Sequence, residues 1–121
     1  MTVNNILVAT ISDYGAVSAT GVGSTASATG YRATASATGD YGTASATGSF
    51  GVAIATGKNG AAIATGRNGK VSGAVGCALF LVERNEYWEI INVWSGIVGK
   101  NGIKPNTYYT LRDGEPVEAD S

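Results

Sequence analysis

Histidine is absent from the 121 residues. Its absence removes the usual general base at neutral pH, the Ser and Cys triads that depend on it, and most zinc constellations, so a non-enzymatic protein is expected. Cysteine occurs once, as Cys77 inside an apolar run, which leaves no disulfide frame and makes the thiol a small buried hydrophobe. Charge is scarce: 14% of residues are Asp, Glu, Lys or Arg, and the net charge is −1. A chain so nearly neutral offers no strong field to nucleic acid or to an anionic membrane, and neither is an expected partner. The opening Met1-Thr2-Val3-Asn4-Asn5 lacks the basic region of a signal peptide, and the apolar stretch after it is too short to span a bilayer. The expected setting is the cytoplasm of a bacterial host cell.

What the chain does have is glycine, 18 residues of it, placed by a strict count. Ala-Thr-Gly recurs at 19–21, 28–30, 37–39, 46–48, 55–57 and 64–66, and the text between the triplets repeats in phase with a period of nine. Short uninterrupted periods mark stacked solenoids, whose repeats bury one another. Within each nine the five residues before the corner alternate, as in Thr25-Ala26-Ser27-Ala28-Thr29 and Val52-Ala53-Ile54-Ala55-Thr56, and a period of two means a strand. Lys70 stands where the first Thr would be, while Val17 and Val71 stand for the first Ala. Since an unpaired lysine is hardly ever buried, the Ala parity faces in and the Thr, Ser and Ile parity faces out. All the charges from Asp13 to Arg67 fall in the two variable corner places, and the glycines at 21, 30, 39, 48, 57 and 66 are expected to supply positive φ or a tight bend.

One nine reverses the chain once, so the simplest closed coil holds two, about eighteen residues, with sheets closer than the usual ~10 Å because only Ala meets Ala. The expected fold is all-β: a flattened β-solenoid capped by a small C-terminal antiparallel β module. A three-sided coil of about twenty-seven residues respects the same period but leaves a wider, poorly filled interior. The chain divides into an N-terminal capping strand (1–12), the nonapeptide solenoid (13–69) and a C-terminal capping and oligomerisation module (70–121). In that module Gly76–Glu83 reads as a buried strand, Arg84-Asn85-Glu86 as its turn and Tyr87–Trp94 as the return, with Trp88, Ile90 and Trp94 on one parity facing the core. Lys100-Asn101-Gly102 is a further turn, and Arg112-Asp113-Gly114 joins a last hairpin.

The nonapeptide text Ala55–Ala64, the strand pair around Leu79 to Ile91, and the terminal Lys104-Pro105-Asn106-Thr107-Tyr108-Tyr109-Thr110-Leu111 resemble a group of bacterial and bacteriophage proteins built from Ala-Thr-Gly nonapeptides and closed by one such β module. The resemblance implies a β-solenoid of phage or prophage origin, and by analogy an inhibitor of a bacterial defence complex. It carries over no catalytic or ligand residue. A structural or adhesive segment of a phage particle or cell surface is an alternative, and so is a solenoid whose Thr and Ser ranks bind ice or glycan.

No cofactor is expected. Calcium-binding nonapeptide solenoids need a repeated acidic turn, and aspartate enters these repeats only at 13 and 40, so no metal is expected either. Candidate protein-binding residues are the variable corner positions Tyr14, Tyr31, Arg32, Tyr41 and Phe50, the outward apolar Ile54 and Ile63, and Val93 with Trp94 in the module. Apolar outward residues on a low-charge chain also point to a homo-oligomer, most simply a symmetric dimer, in addition to an unidentified protein partner.

Overall fold

A computed structural model describes residues 7–119. The alternating segments form eight four-residue strands: β1 (Leu7–Thr10), β2 (Ala16–Ala19), β3 (Thr25–Ala28), β4 (Thr34–Ala37), β5 (Thr43–Ala46), β6 (Val52–Ala55), β7 (Ala61–Ala64) and β8 (Lys70–Gly73). Four more follow: β9 (Ala78–Arg84), β10 (Ile90–Ile97), β11 (Tyr109–Arg112) and β12 (Glu115–Glu118). Successive repeats fall in opposite sheets, ordered β1-β3-β5-β7-β9-β10 (sheet A) and β2-β4-β6-β8-β11-β12 (sheet B). The parallel ladders advance by eighteen residues, with Thr25 opposite Thr43 and Thr34 opposite Val52. The coil therefore has two sides, and the protein is a flattened β-solenoid; no helix occurs among the described residues.

The inward parity is alanine throughout. Ala26, Ala28, Ala35, Ala37, Ala44, Ala46, Ala53, Ala55, Ala62 and Ala64 are buried, while the Thr, Ser, Val and Ile residues between them are half-buried on the outer faces. Methyl against methyl lets the sheets approach closely, so the backbone ladders account for much of the stability and each side chain adds little.

The corner glycines serve a different purpose from the one expected. A β-turn closes each corner, as in Gly15 N–H to Ser12 O (3.0 Å) and Gly60's counterpart Gly51 N–H to Gly48 O (3.1 Å). Positive φ falls not on the first corner glycine but two residues later, on Tyr14, Gly23, Arg32, Tyr41, Phe50, Asn59 and Asn68. The first glycine is required by stacking: a Cβ at Gly57 would overlap the carbonyl of Gly39 one coil below, and one at Gly48 would overlap that of Gly30. These glycines form columns of backbone against backbone.

At the N-terminal end, β1 joins the stack as its first rung in the common register, with Leu7 opposite Thr25. Leu7 and Ile11 are exposed, and the part of the expected capping strand before Leu7 lies outside the described residues. At the other end β9 pairs parallel with β7, but seventeen residues on (Ala61 opposite Ala78), one fewer than in the array. The shortened corner buries Cys77, whose thiol donates to Gly57 O at 3.1 Å. Antiparallel pairing then begins, β10 on β9 and β11 on β8 and β12. Val71, Leu79, Leu81, Val98, Ile103, Tyr109 and Leu111 form the bulky end of the core. Asp113 and Gly114 both have positive φ, as do Asn101 and Gly102, the pattern of type I′ turns.

The return strand starts later than expected, and Trp88 is not in it. Asn85 Oδ1 accepts from the backbone N–H of Tyr87 (2.9 Å) and Glu89 (3.1 Å), and its carbonyl accepts from Trp88 N–H (3.0 Å). This polar loop holds Trp88 at φ 65°, exposed, beneath the Arg84 guanidinium at 5.2 Å, and leaves Ile90 exposed. Trp94 alone follows the expected parity, packing against the core opposite the buried Leu81.

Glu83 ties the two hairpins together. Its carboxylate accepts from Asn92 Nδ2 (2.9 Å) and from the backbone N–H of Asp113 (2.9 Å) and Gly114 (3.0 Å). Burial opposes ionisation of Glu83, but these hydrogen bonds, with Arg112 nearby, outweigh it and hold the carboxyl below its ordinary value.

Candidate interaction edge

Because the coil is two-sided, alternate corners stack on alternate narrow edges of the rod. The corners at 12–15, 30–33, 48–51 and 66–69 share one edge; those at 21–24, 39–42 and 57–60 share the other. Each edge is knitted by the N–H of its positive-φ residue, which donates to the next coil. Examples are Tyr14 to Tyr31 O (2.7 Å), Arg32 to Ser49 O (2.9 Å) and Phe50 to Arg67 O (2.8 Å). Asp13 Oδ1 accepts from Tyr31 N–H (3.0 Å) on the first edge, and Asp40 Oδ1 from Lys58 N–H (2.9 Å) on the second.

On the first edge the side chains make a continuous stack. Tyr14 and Tyr31 meet edge-to-face at 5.8 Å, as do Tyr31 and Phe50. The Arg32 guanidinium lies 4.7 Å from the Phe50 ring centre and 5.4 Å from that of Tyr31, and its Nε donates to the Tyr31 hydroxyl at 3.1 Å. Edge-to-face aromatic pairs are each worth about 0.5–1.5 kcal/mol. The hydrogen bond to Tyr31, followed by its electrostatic influence, raises the Arg32 pKa above its ordinary value.

Three members of the stack are held against local preference. L-residues in the left-handed region lie roughly 1–2 kcal/mol above the right-handed one, with Gly, Asn and Asp as the tolerant exceptions. The equivalent places at Gly23, Asn59 and Asn68 hold those tolerant types, whereas Tyr14 (φ 59°), Arg32 (54°) and Phe50 (57°) do not, nor does Tyr41 (60°) on the opposite edge.

Beside the stack a groove of about 280 Å³ opens toward the last hairpin, lined by Arg32, Phe50, Asn68, Lys70, Thr110, Leu111, Arg112 and Ala119. Among the described residues, Arg32, Lys70, Arg112 and the Phe50 ring line it. Among the described residues no group of three or more His, Cys, Asp or Glu is placed to hold a metal ion.

The sequence candidates thus separate. Tyr14, Tyr31, Arg32 and Phe50 come together, while Tyr41 sits on the opposite edge near Lys58, with φ 60° and high exposure. Ile54 lies half-buried on the outer face of sheet B, between Ser36 and Ser72. Ile63 lies on that of sheet A, next to Phe80. Val93 is exposed on the same face of sheet A, and Trp94 points inward. Sequence reasoning missed Phe80, which its position as an apolar residue alternating with the buried Leu79 and Leu81 would have revealed. It also missed Lys70 and Arg112 as neighbours of the stack, which only the docking of β11 on β8 brings about. No family model, curated protein or solved structure matches this chain.

Proposed function

We propose that this protein is a non-enzymatic interaction module whose rigid rod docks a protein partner along the edge formed by Tyr14, Tyr31, Arg32 and Phe50. The observation that carries the reading is the continuous stack of Tyr14, Tyr31, Arg32 and Phe50 on one edge, three of them in left-handed places that Gly or Asn fill elsewhere. Local strain retained at surface positions is a pointer to function. Tyr and Arg are also the residue types that dominate binding energy at protein interfaces. The backbone beneath them is fixed by hydrogen bonds between coils, so little ordering is needed on association. Arg32 and Arg112 beside the Phe50 ring suit a partner surface that carries a carboxylate next to an apolar anchor. Phage origin and inhibition of a defence complex remain the specific version that the resemblance suggests.

The test is capture from a bacterial lysate by the immobilised chain, compared with a variant carrying Arg32→Asn and Phe50→Asn and with Tyr41→Asn on the opposite edge. The partner should be retained by the wild type and by Tyr41→Asn, and lost by the double variant. Retention by all three refutes the assignment of this edge.

A further inference from the structure

We propose that the free edge of β10 is a self-pairing surface, through which two copies of the chain join into one continuous antiparallel sheet. This surface is separate from the corner edge. β10 is the outermost strand of sheet A at the C-terminal end of the rod, and β12 is the outermost strand of sheet B. Exposed strand edges invite pairing unless a charge, a proline or a bulge blunts them. β12 is blunted: Pro116 lacks an N–H, and Glu115 and Glu118 flank it. β10, eight residues long, contains neither a charge nor a proline, and its single register shift lies between Ile90 and Asn92, leaving the stretch to Ile97 regular.

The backbone groups available along that edge follow from the ladder. Val98 exchanges hydrogen bonds with the chain leading into β9, its N–H donating to Cys77 O and its carbonyl accepting from Gly76 N–H, both at 3.0 Å. In an antiparallel pair alternate residues aim both groups at the same neighbour. Gly96 and Trp94 therefore turn theirs to β9, and Ser95 and Val93 turn theirs to the open side. The outer face of the same hairpin is apolar, with Phe80, Ile91, Val93 and Ile97 all exposed.

The occupant that fits is a second copy. A two-fold axis at Trp94 sets Val93 opposite Ser95 of the second copy, each exchanging both backbone hydrogen bonds, and brings Ile91 toward the second copy's Ile97. No like charges meet along the strand. Just beyond its two ends β10 carries the exposed Glu89 and the exposed Lys100, so an antiparallel partner brings opposite charges to each end. Closed two-fold pairing also uses up the edge, which an open head-to-tail contact would not.

The test uses the full chain. Light scattering across a concentration series gives the oligomeric state, and hydrogen exchange gives the protection of the Val93 and Ser95 amides. The wild type should be a dimer with both amides protected. Ser95→Pro, which removes an edge N–H and no bond to β9, should be monomeric, and Val93→Lys should weaken the dimer by about tenfold or more, both with unchanged melting of the monomer fold. A wild type that stays monomeric at about 100 µM overturns the proposal, as does a dimer whose Val93 and Ser95 amides exchange freely. A dimer that survives both substitutions does the same. Protection of those amides only on adding another protein would assign the edge to a foreign strand and equally overturn self-pairing. None of these outcomes bears on partner capture by Arg32 and Phe50, so the two proposals stand or fall separately.

Discussion

Two glycines of a single corner, Gly57 and Gly60, should respond very differently to alanine. Neither has positive φ, so backbone conformation cannot distinguish them. A Cβ on Gly57 would overlap the carbonyl carbon and oxygen of Gly39 and lie 2.9 Å from Asp40 N, all backbone atoms pinned in the coil below. A Cβ on Gly60 would sit 3.2 Å from Ala55 Cβ and 3.2 Å from Gly42 O, and the equivalent places three and four corners earlier, counting back by nines, already hold Ala33 and Ser24, both buried. Overpacking against movable side chains costs about 1–3 kcal/mol, and against a hydrogen-bonded backbone the upper end applies. Gly57→Ala should therefore lose roughly 3 kcal/mol, which for a domain of this size lowers Tm by on the order of 10 °C. Gly60→Ala gains about 0.4–1 kcal/mol from a less flexible unfolded chain, offsetting the slight crowding, and should melt within about 3 °C of the wild type. Thermal melts followed by far-UV circular dichroism decide the matter. Equal shifts for the two variants would refute the backbone-column account of the corners.

Ala46→Leu should overpack the thin interior and cost about 1–3 kcal/mol, whereas Ser45→Leu on the outer face should change stability by well under 1 kcal/mol; chemical denaturation of both compares the two parities. Tyr41→Asn should raise stability by about 1 kcal/mol, because it relieves left-handed strain at an exposed ring that no stacking partner holds, and a lower Tm would count against the strain argument. The Glu83 carboxyl is held below its ordinary 4.5, so its contribution is present above that value and lost as pH falls through the lower folded-state value. Glu83→Gln should therefore make Tm less dependent on pH below about 4.5, and an unchanged acid dependence would deny Glu83 its part in joining the hairpins.

The architecture was legible because the alternation of Ala with Thr, Ser or Ile sets the strands, and Lys70 on one parity with Val17 and Val71 on the other sets their sense. The corner glycines were harder, since a glycine chosen for close backbone approach looks the same in a sequence as one chosen for positive φ. Only the stacking distance between Gly57 and Gly39 separates the two causes. The stacked aromatic edge was half legible. A period of nine makes Tyr14, Arg32, Tyr41 and Phe50 equivalent, and it is closure of the coil at eighteen that sends Tyr41 to the far side. Trp88 was misplaced because the cap formed by Asn85 is a side-chain event that strand periodicity does not register. The pairing of Glu83 with the last hairpin joins residues thirty apart and leaves no local trace.

The claim that matters most is that one narrow edge of the rod is the docking surface. Hydrogen exchange measured on the full chain, alone and with the captured partner bound, tests it without any substitution. The account predicts added protection at the amides of Tyr14, Tyr31, Arg32 and Phe50, and none at Gly23, Tyr41 and Asn59 on the opposite edge. Protection confined to the opposite edge or to the outer sheet faces would contradict it.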